Sequence, residues 1–166
     1  MKSKVLLVFF VLLCIACKKE APAEHSGKYP EIVVATANGD VFTVANANII
    51  KPQWELVLSK NSTAKTIQAL EVVKGKTEGE AVKDFYMLIA KCNDGRTSMA
   101  TLLEKKGNDF YFDKSNPFTV ICTGDCEGGC LPVAKYSMGS VNLVCSACGN
   151  CIKREHSINF ASSPNN

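Results

Sequence analysis

Six of the chain's nine cysteines crowd into one stretch, Cys122 to Cys151, which reads CTGDCEGGCLPVAKYSMGSVNLVCSACGNC. They form two triplets, C-x3-C-x3-C over Cys122, Cys126 and Cys130, and C-x2-C-x2-C over Cys145, Cys148 and Cys151. Core packing does not gather thiols in this way, because there a cysteine is only a small apolar side chain. Such a cluster either cross-links or binds metal. Cross-linking suits its surroundings: Gly124, Gly128, Gly129, Gly139 and Gly149 share the stretch, with little apolar material to hold it by burial. Six cysteines allow fifteen pairings, and the near-mirror spacing suggests that the triplets pair across the loop between them.

Metal ligation is the competing chemistry. Cys145-x2-Cys148 has the knuckle spacing of structural zinc, Cys126 and Cys130 lie within its usual range, and His156 could add a nitrogen ligand. Zinc is therefore the alternative cofactor, wherever the thiols stay reduced. Cys145-x2-Cys148-x2-Cys151 also matches the start of the bacterial ferredoxin run for an iron–sulfur cluster. Glu155 stands where its fourth cysteine should be, and no proline follows. Two overlapping C-x-x-C units, Cys145–Cys148 and Cys148–Cys151, suggest redox chemistry. Redox motifs of this kind open a helix in a βαβ unit, and no such pattern surrounds these. A Cys148 shared between both units suits a staple better than a reversible dithiol.

The choice turns on the compartment, and the first twenty residues, MKSKVLLVFFVLLCIACKKE, bear on it. Lys2 and Lys4 precede an unbroken apolar run from Val5 to Cys17, and Lys18, Lys19 and Glu20 follow at once. The run is shorter than the about 20 residues of a membrane-spanning helix, but it suits a signal-peptide core. Cys14-Ile15-Ala16-Cys17 resembles the lipobox of bacterial lipoproteins, in which a cysteine becomes the first mature residue and carries the lipid. Ala16 supplies the small residue before the cut, while Cys14 departs from the usual leucine. The resemblance covers residues 1–20 only. It implies a signal peptide over 1–16, lipidation of Cys17, and the membrane as partner through that anchor. Lys18, Lys19 and Glu20 resemble a surface-export signal of some Gram-negative bacteria. The expected location is the cell envelope, as an outer-membrane lipoprotein, with periplasmic and outward orientations both open. Disulfides persist there, so three bridges and no cofactor are the favoured reading.

The elements that must position the cysteines read mainly as β structure, with α+β the alternative. Residues 17–28 form a lipidated tether, 29–117 an antiparallel β domain, and 118–166 a small cysteine-rich C-terminal module. Around Asn38-Gly39, two β-rich runs predict a hairpin with positive φ at both residues. Trp54 to Leu58 alternates as a half-buried strand should. From Ser62 to Lys74 helix and strand compete, and strand is favoured, with Ile67, Ala69 and Val73 on one face. Asp84–Cys92, Thr97–Leu103 and Phe110–Asp113, joined by Asn93-Asp94-Gly95 and Lys106–Asp109, predict a meander. Cys92 lies within its first strand and should remain a buried free thiol.

Removing the first 16 of 166 residues, which carry Lys2 and Lys4, leaves 150 residues and takes the formal net charge from +3 to +1. A nearly neutral chain has no basic field with which to collect nucleic acid. Phosphate-binding, nucleophile-elbow and zinc-protease signatures are missing. Only His25 and His156 could serve as imidazole bases, and no acid–base pair can be nominated. The residues point to a non-enzymatic envelope lipoprotein with a binding or structural role, its protein or small-molecule partner unspecified. A redox or metal-handling protein is the alternative.

Overall fold

The computed structural model describes residues 27–61, 66–127 and 129–160. The signal-like segment, Cys14, Cys17 and His25 lie outside the described residues. The chain runs β1 (Ala35–Asn38), β2 (Val41–Val44), α1 (Ala47–Asn61), β3 (Ile67–Lys76), β4 (Glu78–Gly79), β5 (Asp84–Cys92) and β6 (Thr97–Lys106). There follow β7 (Asp109–Phe112), β8 (Phe118–Thr123), β9 (Pro132–Ser137), β10 (Ser140–Cys145) and β11 (Ile152–Ser157). The fold is mostly antiparallel β sheet, as the residue patterns predict.

β6 organises the main sheet. One edge pairs with β5, from Tyr86 opposite Leu103 to Lys91 opposite Ser98. The other edge is shared end to end, because Thr97–Ala100 pairs with β8 and Leu103–Lys106 pairs with β7. Beyond β7 lie β1 and β2, beyond β8 lies β11, and beyond β5 lies β3. The predicted meander is thus the centre of the molecule. Its strands read as near-continuous apolar runs, Tyr86–Ala90 and Met99–Leu103, because both of their faces are covered.

Alternation sorts these side chains into two cores. Leu88, Ala90, Cys92, Met99, Leu103 and Ile121 face one core, which also holds Val34, Phe110, Phe112 and the helix residues Ile50, Trp54 and Leu58. Met87, Ile89, Ala100, Leu102, Val120 and Cys122 face the other, which is covered by Ala134, Leu143 and Cys130. That second cover is a three-stranded sheet in the order β10-β9-β4. The stretch expected to form a module of its own therefore contributes β8 and β11 to the main sheet and β9 and β10 to its lid.

Three local expectations are corrected. Trp54–Leu58 is not a strand but the second half of α1. Ile50, Trp54 and Leu58, four residues apart and fully buried, make one helical face, whereas Leu56 is 53% exposed. Pro52 lies inside this helix, and the loss of one N–H donor there is outweighed by burial of that face. The carbonyl of Asn46 accepts from Ile49 and Ile50 at the helix start. The buried Trp54 Nε1–H is approached by the Tyr29 hydroxyl, outside strict hydrogen-bond geometry.

The 67–76 segment is a strand, as favoured, with Ala69 and Val73 on one face, but Ile67 does not share it. A register shift between Ile67 and Ala69 reverses the alternation, so Leu70 and Val72 follow Ile67 into the first core while Val73 turns to the second. In the first hairpin, Asn38 pairs with Val41, so the two turn residues are Gly39 and Asp40. Only Gly39 of these carries positive φ, at 62°.

A second hairpin, β9–β10, turns at Met138-Gly139 with φ of 51° and 80°. Two positive values suit the strand twist, but a side chain at Met138 costs about 1 kcal/mol there. Its side chain is 96% exposed. Met138→Asn is expected to raise stability by about 0.5–1 kcal/mol, since asparagine tolerates this conformation and no packing is lost. Gly39→Val, by contrast, should cost about 1 kcal/mol or more through the backbone alone, because nothing lies within 4 Å of a Cβ there. Urea unfolding of both variants checks the opposite signs.

Candidate functional site

The six clustered cysteines meet where the lid sheet is joined to β8 and β11. Cys122 projects from β8 into the second core, and Cys145 ends β10. Cys126 and Cys148 occupy the two flanking loops, while Cys130 and Cys151 stand just before β9 and β11. Three pairs lie at disulfide distance. Cα–Cα is 5.6 Å for Cys122 and Cys145, 6.1 Å for Cys126 and Cys148, and 5.6 Å for Cys130 and Cys151, all within the disulfide range. Each pair takes one cysteine from each triplet, in the same order along both. The sequence separations of 23, 22 and 21 shrink by one because x3 spacing is matched against x2 spacing.

The local chain is shaped to allow this. The β9–β10 hairpin returns the second triplet beside the first. Ser146 N–H then donates to Leu131 O at 2.8 Å, and Leu131 N–H donates back to Ser146 Oγ at 3.1 Å. Cys148 N–H donates to Ser146 O, Cys151 N–H to Cys148 O and Gly129 N–H to Cys126 O, curling both loops. Gly124 allows the closest approach, since a Cβ there would stand 2.7 Å from Asn150 O and 2.9 Å from the Cys151 Cα. Arg96 and Asp125 form an ion pair at the rim of the first loop.

The pairs are also neighbours of one another. The sulfurs of Cys122, Cys130 and Cys145 all lie within 4.8 Å of each other, and so do those of Cys126, Cys148 and Cys151. The Cys130–Cys151 pair therefore reaches one sulfur into each group. Cys122 and Cys130 are fully buried, whereas Cys126, Cys145, Cys148 and Cys151 are half-buried. His156 belongs to neither group. It pairs with Thr119 on β11, and its side chain lines a cleft beside Tyr29 and Lys60, so the nitrogen ligand foreseen for zinc is absent from the sulfur groups. Spacing alone gave no sign that the pairs would touch.

Cys92 is buried at the end of β5 and carries no bridge. Burial pushes its thiol up to about 12, with the carboxylates of Asp94 and Glu55 adding to the shift. Asp94 itself holds the β5–β6 turn. Burial opposes its charge, but the Thr97 hydroxyl and the N–H groups of Arg96 and Thr97 outweigh that and keep its carboxyl below the usual range. The described residues form clefts of about 250, 280 and 230 Å³. Among the described residues, no helix is long and apolar enough to cross a membrane.

Comparison with protein-family models, curated proteins and solved structures gives no match for the chain.

Three expectations follow from the site. A thiol of pKa about 12 is a thiolate in only about one molecule in ten thousand at pH 8, so native Cys92 should resist iodoacetamide until the protein is unfolded. Its proton is also held more tightly in the folded than in the unfolded chain. The resulting stability is present below pH 9 and lost as pH rises from 9 towards about 12. Cys92→Ala should flatten that alkaline loss in pH-dependent melts. Gly124→Ala should destabilise the protein by about 1–3 kcal/mol, by driving a methyl into the Asn150–Cys151 backbone. Denaturant unfolding reads the change.

Proposed function

We propose that this chain is a membrane-anchored bacterial lipoprotein of the cell envelope, lipidated at Cys17, with a non-enzymatic binding or structural role and a disulfide-stapled C-terminal segment. The observation that carries the reading is the set of three cysteine pairs, each drawn from both triplets and each at bridge distance. Bridged sulfurs belong to an oxidising compartment, which agrees with the lipobox-like Cys14-Ile15-Ala16-Cys17. The lid they hold buries little apolar surface of its own, and each bridge adds about 2–4 kcal/mol by restricting the unfolded chain.

A second reading has one observation in its favour. If the sulfurs are reduced, each group of three within 4.8 Å offers a soft metal three thiolates. That is one ligand short of the four that structural zinc takes.

Protein matured in the envelope and denatured without reductant should bind one equivalent of thiol reagent, at Cys92, and should hold no stoichiometric metal. Several reactive thiols with bound zinc or copper would establish the second reading instead. Cys17→Ser should yield an unacylated chain that leaves the membrane fraction. A variant that still carries acyl groups would overturn the anchor.

A further inference from the structure

The sulfur cluster is more than three separate cross-links. We propose that its bridges form one thiol–disulfide exchange relay, in which an external thiol acts on Cys126–Cys148 and the electron pair passes inward through Cys130–Cys151 to Cys122–Cys145. The proposal rests on the bridged state argued above. It is carried by the contact between bridges: Cys126, Cys148 and Cys151 are within 4.8 Å of one another at one end, and Cys122, Cys130 and Cys145 at the other. Exchange proceeds by attack of a thiolate on a neighbouring disulfide sulfur, so adjacency of this kind is its main requirement.

The loop position of the outer pair gives the relay a direction. Cys126 and Cys148 are half-buried and lie in loops that exchange can move without breaking a strand. Cys122 and Cys130 have no exposed surface, so each of the other two bridges offers an external thiol only its half-buried sulfur, Cys145 or Cys151, whereas Cys126–Cys148 offers two. Each step balances. Two molecules of external thiol reduce Cys126–Cys148 to two thiols and leave as one disulfide, delivering two electrons and two protons. The Cys148 thiolate then attacks Cys151, forming Cys148–Cys151 and releasing the Cys130 thiolate. Cys126 attacks Cys148 in turn, which restores the outer bridge and releases Cys151. The same pair of steps, with Cys130 attacking Cys145 and Cys151 then attacking Cys130, carries the electron pair to Cys122 and Cys145. Protons move through solvent from each attacking thiol to each leaving sulfur, and the number of disulfides is unchanged by every inward step.

The test needs no added reductant. In the full-length Cys148→Ser variant, Cys126 is left as a free thiol beside Cys151. After incubation at pH 8 the protein is quenched and unfolded in acid, alkylated, and mapped by peptide mass spectrometry. The relay predicts that label shifts away from Cys126 to Cys130 and, beyond it, to Cys122 or Cys145. Cys126→Ser should give the same downstream label from Cys148, so misfolding of one variant does not decide the matter. Circular dichroism matching the parent identifies the folded variants. Cys92 is labelled in every variant once unfolded; label otherwise confined to Cys126, or a dimer linked through Cys126, would overturn the relay. The staple reading would still stand, since it is decided by the thiol count of the unmutated chain. Removing the middle bridge as well, in Cys130→Ser/Cys148→Ser/Cys151→Ser, should return the label, apart from that at Cys92, wholly to Cys126. Label at Cys122 or Cys145 in that variant would overturn the path through Cys130–Cys151.

Discussion

A sheet that is apolar on both faces needs two covers, and the rest of this molecule answers that constraint. β5 and β6 bury Met87 to Ala90 and Thr97 to Leu103 without a break, so neither face can be left to water. The first cover is an ordinary hydrophobic one. Trp54, Phe110 and Phe112 are its largest fully buried side chains, and α1 lays one apolar face over it. A chain order that places a helix between two β strands is therefore a packing device here, and not the βαβ unit of a parallel sheet.

The second cover is of another kind. β9 and β10 bring Ala134 and Leu143 to the sheet, and cysteines supply much of the remainder of that core. Buried area alone gives such a lid little stability at roughly 25 cal/mol per Å². The sulfur pairs offset the chain entropy that burial does not. Their position follows: they stand at the seam where β8 leaves the sheet and β11 returns to it. Asn116 adds a polar tie at the far end, its Nδ2 donating to Val141 O at 2.8 Å.

Legibility in the sequence tracked how local the determining interaction is. The β5–β6–β7 meander was readable because its turn residues, Asn93-Asp94-Gly95 and Lys106 to Asp109, act on their own neighbours. α1 was not, because Trp54, Leu56 and Leu58 satisfy period two as well as Ile50, Trp54 and Leu58 satisfy period four. Only tertiary burial, which leaves Leu56 in water, separates the two patterns. The bulge at Ile67/Ala69 escaped notice for the same reason, since a register shift leaves no mark on composition. At the candidate site, clustering and spacing disclosed that the six cysteines belong together. Their order of pairing and the contact between pairs depend on how the β9–β10 hairpin lies on the sheet, which no triplet spacing encodes.

The outer margin of β11 has a further bearing on how copies of the chain meet. Among the described residues β11 pairs with β8 on one side only, which leaves a strand margin able to accept another strand. Lys153, Arg154 and Glu155 stand along it, with Lys153 and Glu155 paired at 2.7 Å. An incoming strand would have to strip water from these charges before gaining any backbone hydrogen bond, and charged margins of this kind oppose sheet-to-sheet aggregation. The same strand that anchors the end of the stapled segment thus keeps the sheet from growing at this margin.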